Sequence, residues 1–237
     1  MTQMPAHEML AREMPVREML AARLAAELGD GAIAGELALL VEEEALSWTP
    51  PVVAVARIRT LFGFTFGNRM AANANRVPGP VNEALAAVAR QLHAATGAPI
   101  LAQWEVAEAA GDLPDGVVTP IYPGRDERGE PVYLSTGGVL EEIARRRDPA
   151  SFGVVGIVAF RDHIARCVTT ARRIGFDAYA PEGVAMPAVY DTQSGQAWCR
   201  DRLSYLLHDL MIRITERRAM ALSRAARGEA PADVVGR

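Results

Sequence analysis

The feature that most constrains the fold is an alternation of short apolar segments with helical patterns that begins near Trp48. Apolar runs of five to seven residues, such as "VVGIVAF", lead into segments whose apolar residues recur every three or four positions. Val81 to Thr96 is one such segment, with Leu85 and Leu92 on the same helical face. Because strand and helix alternate, we predict a three-layer α/β fold with about five parallel strands, covered by helices on both faces.

The predicted elements also divide the chain. The predicted strands, in chain order, are the segments "LFGFTFG", "PILAQWEV", "PVYLST", "VVGIVAF" and "DAYAP". Helices are predicted over 81–96, 137–147, 162–174 and 197–225. Residues 1–47 form a helical N-terminal extension in which Pro15 ends or kinks a helix. We therefore expect this extension, an α/β domain with a long C-terminal helix over 48–225, and a flexible tail over 226–237.

Composition excludes several classes of function. The net charge of −4 gives no strongly basic field, so we expect no nucleic acid partner. The two cysteines, Cys167 and Cys199, show no metal-ligand spacing, which is typical of a reduced cytoplasmic protein. No run of about 18 apolar residues is present, and the first 30 residues lack an apolar signal core. We expect a cytoplasmic protein with no membrane partner. The terminal helices are candidates for a homodimer contact.

In a parallel α/β sheet, ligands bind beyond the carboxyl ends of the strands, so the residues after each strand are the candidates. Gly67, Asn68 and Arg69 follow the first main strand, and Gly67 permits unusual backbone angles near a ligand. Asn82 projects from the first turn of the next helix, where it either binds a ligand or holds the loop after Gly67. Glu105 follows the second strand, where an acid often holds a ribose.

The later strands end in two further candidate segments. Thr136, Gly137 and Gly138 precede a helix and resemble a cradle for a phosphate or carboxylate, although ordinary helix caps look the same. The fourth strand ends in Arg161 and in Asp162, which we predict as the helix N-cap. The same helix then carries His163 and Arg166, which share a face because they are three residues apart.

Two more features leave alternatives open. Trp104 either stacks on a base or belongs to the core. The polar loop "YDTQSGQAW", which contains Ser194 and Gly195, is predicted as a lid or a connector. The usual dinucleotide fingerprint and the serine-hydrolase elbow are both missing from the sequence, and its four histidines are far apart along the chain.

Three segments, covering roughly 61–183, resemble the ElyC/SanA/YdcF-like family of bacterial proteins. They are "FTFGNR", "PGPVNEALAAVARQL" followed by "PILAQWEVA", and "VGIVAFRDHIARCVTTARRIGFDAYAPEG". In this resemblance His163 and Arg166 match the family's His-x-x-Arg element, and Asn82 matches a recurrent Asn. The resemblance implies a Rossmann-like domain with a pocket at the strand ends. It also implies S-adenosylmethionine as cofactor or substrate, since a soluble branch is connected with that molecule.

Together these features favour an enzyme that binds a small polar or nucleotide-like molecule. A ribose would meet Glu105, and a carboxylate or phosphate would meet Gly137, Gly138 and either Arg161 or Arg166. His163 is a candidate general acid or base, with Arg166 beside it. A non-catalytic ligand-binding regulator of envelope or stress physiology is the alternative, and a structural role for the terminal helices is a third hypothesis.

Overall fold

The computed structural model describes residues 14–72, 75–111, 113–124, 127–128 and 134–228. These residues form two compact units, one of residues 14–48 and 213–228 and the other of residues 49–212. The predicted helix before Pro15 lies almost wholly outside the described residues. Within the described residues, no helix is long and apolar enough to cross a membrane.

The strands and helices of the chain are as follows. The strands are β1 (Val52–Val53), β2 (Thr60–Gly63), β3 (Arg69–Met70), β4 (Arg76–Val77), β5 (Ile100–Gln103), β6 (Val118–Ile121), β7 (Val154–Val158) and β8 (Asp177–Pro181). The α-helices are α1 (Val16–Leu28), α2 (Gly31–Val41), α3 (Pro80–Thr96), α4 (Trp104–Ala110), α5 (Thr136–Arg146), α6 (Ile164–Ile174) and α7 (Arg202–Ala226). A π-helical turn covers Glu42–Leu46, and 3₁₀ turns cover Val55–Arg57, Pro149–Phe152 and Ala197–Cys199.

Six strands of the unit 49–212 form one parallel sheet in the order β1-β8-β7-β2-β5-β6. The predicted α/β class with a parallel sheet is therefore confirmed. Strand β2 is central, with β5 on one side and β7 on the other, so the chain changes direction across the sheet at β2. Strands β3 and β4 form a separate antiparallel hairpin in the connection from β2 to α3.

The core lies in two layers, one on each face of the sheet. Leu61 and Phe62 are adjacent in β2 and fully buried, yet they belong to different hydrophobic clusters, because successive side chains of a strand point to opposite faces. The Leu61 cluster includes Leu85 of α3 and Val106 of α4. The Phe62 cluster includes residues of α5 and α6. Helices thus cover both faces, which gives the three-layer, Rossmann-like arrangement.

Several predicted elements differ from the structure. Strand β6 was not predicted, because its four residues include Pro120, and it lies at an edge of the sheet, where proline is tolerated. The predicted strand "PVYLST" lies partly outside the described residues, and Leu134 and Ser135 within it are not in a strand. The observed C-terminal helix is shorter than the predicted one, because α7 begins only at Arg202, after a 3₁₀ turn.

The predicted N-cap at Asp162 is wrong. The residue at the N-cap position of α6 is His163, and its side chain makes no capping hydrogen bond. The Asp162 carboxylate instead accepts hydrogen bonds from Arg161, Tyr190 and Arg202. Asp162 therefore binds three side chains at the end of β7 and does not cap the helix.

In the other unit, α1 and α2 contact each other and are joined by a capped turn. Gly29 ends α1 in the left-handed conformation, and Asp30 Oδ1 accepts hydrogen bonds of 3.0 Å from the backbone N–H groups of Ala32 and Ile33. Arg217 of α7 pairs with Glu43 and with the buried Glu44. The Asp30 cap stabilises the start of α2, and the ion pairs of Arg217 connect α7 to the π-helical turn Glu42–Leu46.

Candidate functional site

A cleft lies at the carboxyl ends of β2, β5, β6 and β7, near the point where the connections between the strands change direction. Open α/β sheets bind ligands at such a switch point. Its lining residues are Thr65, Phe66, Gly67, Asn68, Arg76, Gln103, Trp104, Glu105, Ile121, Pro123, Leu134, Thr136, His163, Arg166, Gln196, Trp198, Cys199, Tyr205 and His208. The cleft therefore collects residues from four strand ends and from α7.

The loop after β2 is held in place by Asn82. This residue is fully buried, and its Oδ1 accepts hydrogen bonds from Thr65 Oγ1 at 2.8 Å and from the backbone N–H of Phe66 at 2.9 Å. Its Nδ2 donates to the carbonyl oxygens of Gly67 and Pro78 at 2.8 and 2.6 Å. Of the two roles that the sequence left open, the contacts of Asn82 are those of a loop anchor.

The same loop packs closely against a second loop, the one that contains Ser194 and Gly195. Gly67 has a φ of +70°, and a Cβ added there would lie 2.4 Å from the Ser194 hydroxyl. The backbone N–H of Gly195 donates to the carbonyl of Asn68 at 2.6 Å. Ser194 is buried, so the polar segment around it is a packed connector in this structure.

Glu105 is a buried carboxyl group in the first turn of α4. Only 5% of its surface is exposed, and its Oε2 has no hydrogen-bond partner among the residues that the structure describes. Burial raises the pKa of Glu105 to about 7, because its own backbone N–H, the side chain of Asn68 and the charge of Arg76 compensate only part of the lost hydration. A carboxyl group with this pKa can both accept and release a proton near neutral pH.

The second part of the cleft is a buried network around His163. Arg166 donates from Nη1 to Thr136 Oγ1 at 2.8 Å and from Nε to the carboxylate of Asp209. Nη2 of Arg166 lies 3.0 Å from His163 Nδ1, and the Tyr205 hydroxyl lies 2.6 Å from the same nitrogen. The Tyr205 hydroxyl also lies 3.1 Å from Asp209 Oδ1, and it donates its single proton either to that oxygen or to Nδ1. All five of these residues are nearly or fully buried.

This network fixes the tautomer of His163. A guanidinium group has only donors, so the Nδ1 atom that faces Arg166 must be the acceptor. In the neutral imidazole, the proton then resides on Nε2, which makes that atom a hydrogen-bond donor. The carboxylate of Asp209 balances the charge of Arg166, so the network as a whole carries no excess charge from this pair.

Two other titratable groups of the cleft are kept protonated. Burial first, and then the charge of Asp209, raises the pKa of Tyr205 well above its usual value. Burial raises the pKa of the Cys199 thiol to about 12. Tyr205 is therefore a donor, and Cys199 is not a thiolate nucleophile at neutral pH.

Six of the residues predicted from the sequence lie together in the cleft: Gly67, Asn68, Glu105, Thr136, His163 and Arg166. The other five are absent from its lining: Arg69, Asn82, Gly137, Gly138 and Arg161. Arg69 forms a bidentate pair with Asp191 at 2.8 and 2.9 Å, and Arg161 pairs with Asp162. The backbone N–H of Gly138 donates to Ser135 Oγ, which is an ordinary helix cap.

The sequence interpretation missed the contribution of α7. Tyr205 and Asp209 are four residues apart and face the same way, and Asp209 interrupts an apolar stretch of the helix. A buried acid and a tyrosine at this spacing were a readable signal of a polar network. Arg76, Trp198 and His208 carry no comparable signal, since only the fold brings them to the cleft.

The enclosed part of the cleft is small. Its cavity volume is about 60 Å³, and one buried water needs about 10–15 Å³ of such space. It therefore holds about four to six groups of that size, such as the hydroxyl-bearing part of a sugar. Within the part of the chain that the structure describes, no group of three or more His, Cys, Asp or Glu side chains is arranged to hold a metal ion.

The fold and the cleft define a Rossmann-like α/β protein with a polar site at the strand ends. No protein-family model and no curated protein matches the chain. The resemblance to the ElyC/SanA/YdcF-like family therefore stays a prediction from three sequence segments.

Proposed function

We propose that this protein is an enzyme that binds a small polar ligand in the strand-end cleft and exchanges a proton with it through Glu105. The observation that carries the proposal is a carboxyl group that is 5% exposed and has one oxygen without a hydrogen-bond partner in the described part of the chain, in a cleft at the strand ends. An unpartnered buried oxygen is costly, and a ligand hydroxyl or amine that donates to it removes that cost.

Glu105 acts as the general base or acid in this proposal. Ionised Glu105 accepts the proton of a ligand hydroxyl, and protonated Glu105 returns it, so the two forms must both be accessible at the working pH. The pKa of about 7 provides this, because burial destabilises the charged form. Asn68, which hydrogen-bonds to the Glu105 carboxyl, orients it toward one rotamer.

His163 is a positioned hydrogen-bonding group in this proposal. Its Nδ1 accepts from Arg166 or Tyr205, so the network orients the ring in the cleft and, in the neutral tautomer, holds the proton on Nε2. Arg166 acts through His163, since its Nε, Nη1 and Nη2 atoms all contact protein side chains. Arg166 is therefore a positioning residue in this account, although the sequence interpretation had placed it in the chemistry.

S-adenosylmethionine does not fit the arrangement that the resemblance implied. Gly137, Gly138 and Arg161, which would receive its carboxylate, do not line the cleft, and Arg166 is held by Asp209 and Thr136. Glu105, the residue that the resemblance would assign to its ribose, does line the cleft. We propose no step through this cofactor, and it enters the test below as one ligand among others.

The proposal is tested with a ligand screen on wild-type protein and two matched variants. Thermal stability is measured with simple phosphates, sugar phosphates, nucleotides, S-adenosylmethionine and its homocysteine product, because a ligand that binds the folded state raises stability. Hits are then assayed for conversion. Glu105→Gln keeps the shape of the side chain but cannot ionise, and Glu108→Gln changes an exposed carboxylate of the same helix.

The proposal predicts a ligand that wild type and Glu108→Gln both convert, while Glu105→Gln binds it and loses turnover by about 100-fold or more. Unchanged turnover in Glu105→Gln contradicts the catalytic role. Binding without conversion in wild type supports the alternative of a non-catalytic ligand-binding protein. No stabilisation by any compound contradicts both.

A further inference from the structure

The cleft has an aromatic wall that the proposed chemistry does not use. The rings of Trp198 and His208 are stacked, with centroids 4.7 Å apart and planes 16° from parallel. Both side chains are partly exposed and both line the cleft, as does Trp104. Two of the chain's three tryptophans therefore border a site whose enclosed part is small and polar.

The wall is held by its buried neighbours. Trp198 belongs to the 3₁₀ turn Ala197–Cys199, next to the buried Cys199, and His208 lies one helical turn beyond the buried Tyr205 in α7. Burial and the charge of Arg166 lower the pKa of His208, so its ring is uncharged at neutral pH. Two flat, uncharged rings at a fixed position form a surface on which another flat ring can stack.

The remaining charge of the cleft favours an anionic ligand. Two arginines line it, and Arg166 is paired with Asp209. Arg76 of β4 is exposed, and its charge reaches Glu105, whose pKa it lowers slightly. An exposed guanidinium beside a ligand site is well suited to a phosphate, because its N–H groups match phosphate oxygens.

We propose that the ligand of this cleft is a nucleoside monophosphate whose base lies against the Trp198–His208 wall. This inference rests on the proposed function and adds the substrate class to it. The sugar hydroxyls face the unpartnered oxygen of Glu105, the phosphate lies toward Arg76, and the base remains in the open part of the cleft. The ring contact supplies affinity without base-specific hydrogen bonds, since every base has a flat face.

A matched pair of probes tests the ring contact directly. Adenosine 5′-monophosphate and ribose 5-phosphate share the sugar and the phosphate and differ by the base. Stacking of one base on an aromatic side chain corresponds to about a 5- to 150-fold gain in affinity. We therefore expect calorimetry on the full chain to show a stronger affinity for adenosine 5′-monophosphate by a factor in this range.

Three variants locate the effect. Trp198→Leu removes the ring, and we expect the affinity for adenosine 5′-monophosphate to fall to that for ribose 5-phosphate, which stays unchanged. Trp198→Phe keeps a smaller flat ring and retains most of the preference. His208→Leu leaves the indole but removes its stacked neighbour, and we expect a smaller loss. Far-ultraviolet circular dichroism confirms that each variant is folded.

Equal affinity of wild type for the two probes, or no binding of either, overturns the inference. So does an equal loss for both probes in Trp198→Leu, which indicates a structural effect on the whole cleft. These results reject the ring contact without rejecting the proposed function. If the protein converts another small ligand and Glu105→Gln loses that turnover, the proposed function stands.

Discussion

The buried polar residues in and behind the cleft have two different roles. Asn82 and Asp209, behind the cleft lining, and Arg166, within it, direct their polar atoms at other protein atoms and set the shape of the site. Glu105 differs, because one of its carboxyl oxygens has no hydrogen-bond partner among the described residues. Buried polar groups are almost always satisfied in folded proteins, and the proposed function uses this exception as the point at which a ligand group would complete the site.

Burial of Glu105 predicts a pH dependence of stability that a single substitution removes. The folded pKa of about 7 lies above the usual value of 4.5, so the folded state holds the proton more tightly than the unfolded state. Its contribution is therefore most favourable at low pH and is lost as pH rises from about 4.5 to about 7. Relative to Glu105→Gln, the free energy of unfolding of wild type should fall by about 2–3 kcal/mol between about pH 5 and about pH 8.

Urea denaturation across this pH range measures the difference. Glu108→Gln, the exposed control on the same helix, should show nearly the same fall, ending at a slightly lower pH because the charge of Glu108 contributes to the raised pKa of Glu105. A constant difference between Glu105→Gln and wild type would show that Glu105 titrates normally.

The Arg166–Asp209 pair predicts a large loss of stability on removal of one partner. Asp209→Asn leaves the buried guanidinium of Arg166 without its carboxylate, which costs about 3–5 kcal/mol. Asp177→Asn, at an exposed position of β8, should change stability by less than about 0.5 kcal/mol. Chemical denaturation of the two variants measures both values, and a similar small effect for both contradicts a buried, paired role for Asp209.

The hydrogen bonds of His163 predict its tautomer. Arg166 faces Nδ1, so the proton of the neutral ring should be on Nε2. Long-range ¹H–¹⁵N correlation spectra of the histidine rings distinguish the two nitrogens. A proton observed on Nδ1 at neutral pH contradicts the proposed network.

At the scale of elements, the loop after β2 and the segment around Ser194 depend on a glycine. Gly67→Ala combines a left-handed backbone with a contact of 2.4 Å to the Ser194 hydroxyl. Gly183 has nearly the same φ of +71° but no atom within 4 Å of an added Cβ. Gly183→Ala therefore measures the backbone strain alone, about 1 kcal/mol, and Gly67→Ala should cost about 1–3 kcal/mol more.

Thermal or chemical denaturation of the two alanine variants gives this difference. The double variant Gly67→Ala with Ser194→Gly should recover part of the loss, because it removes the hydroxyl that the new methyl group meets. Equal stability of the Gly67 and Gly183 variants would contradict the packing of the two loops.

The elements also show why the sequence predicted some parts and not others. Strands β7 and β8 were both predicted at the right place in the chain. The apolar run of β7 reflects burial on both faces of the sheet, whereas β8 begins with the exposed Asp177 and is only partly buried. Strand β6 was missed because an edge strand with Pro120 lacks that pattern. Asp162 was predicted as a cap from local preference, but two distant side chains, Tyr190 and Arg202, bond to its carboxylate together with the adjacent Arg161.

The sequence also predicted one part of the candidate site and missed another. The rule that ligands bind beyond strand ends placed Gly67, Glu105 and His163 in one cleft from the sequence alone. This rule does not predict contacts between residues that are far apart in the sequence. Thus the pairing of Arg166 with Asp209, 43 positions away, turned a predicted ligand contact into an internal one.

At the scale of the whole molecule, the strand order determines which parts of the α/β unit are most resistant to opening. Strand β2 pairs on both sides and all four of its residues are buried, whereas β1 is a two-residue edge strand. Amide hydrogen exchange should therefore be slowest in β2 and β7 and much faster in β1 and the β3–β4 hairpin. Faster exchange in β2 than in β1 would contradict the central position of β2.

The same strand order explains why the cleft is where it is. The chain leaves β2 toward β5 on one side and later returns to β7 on the other, so the connections diverge and leave a crevice at the carboxyl ends. Glu105 and His163 come from the two sides of this crevice, and α7 adds Tyr205 and Asp209. The site is a product of the topology, and no single segment contains it.

The central claim, that Glu105 is a proton-exchanging group, is tested most directly by its own titration. The ¹³C chemical shift of the Glu105 carboxyl carbon, assigned by comparison with Glu105→Gln, is followed by nuclear magnetic resonance as the pH is raised. The account predicts a midpoint of about 7 for Glu105. A midpoint near the ordinary value of 4.5 would contradict it, because a carboxyl group with that pKa is fully ionised at neutral pH.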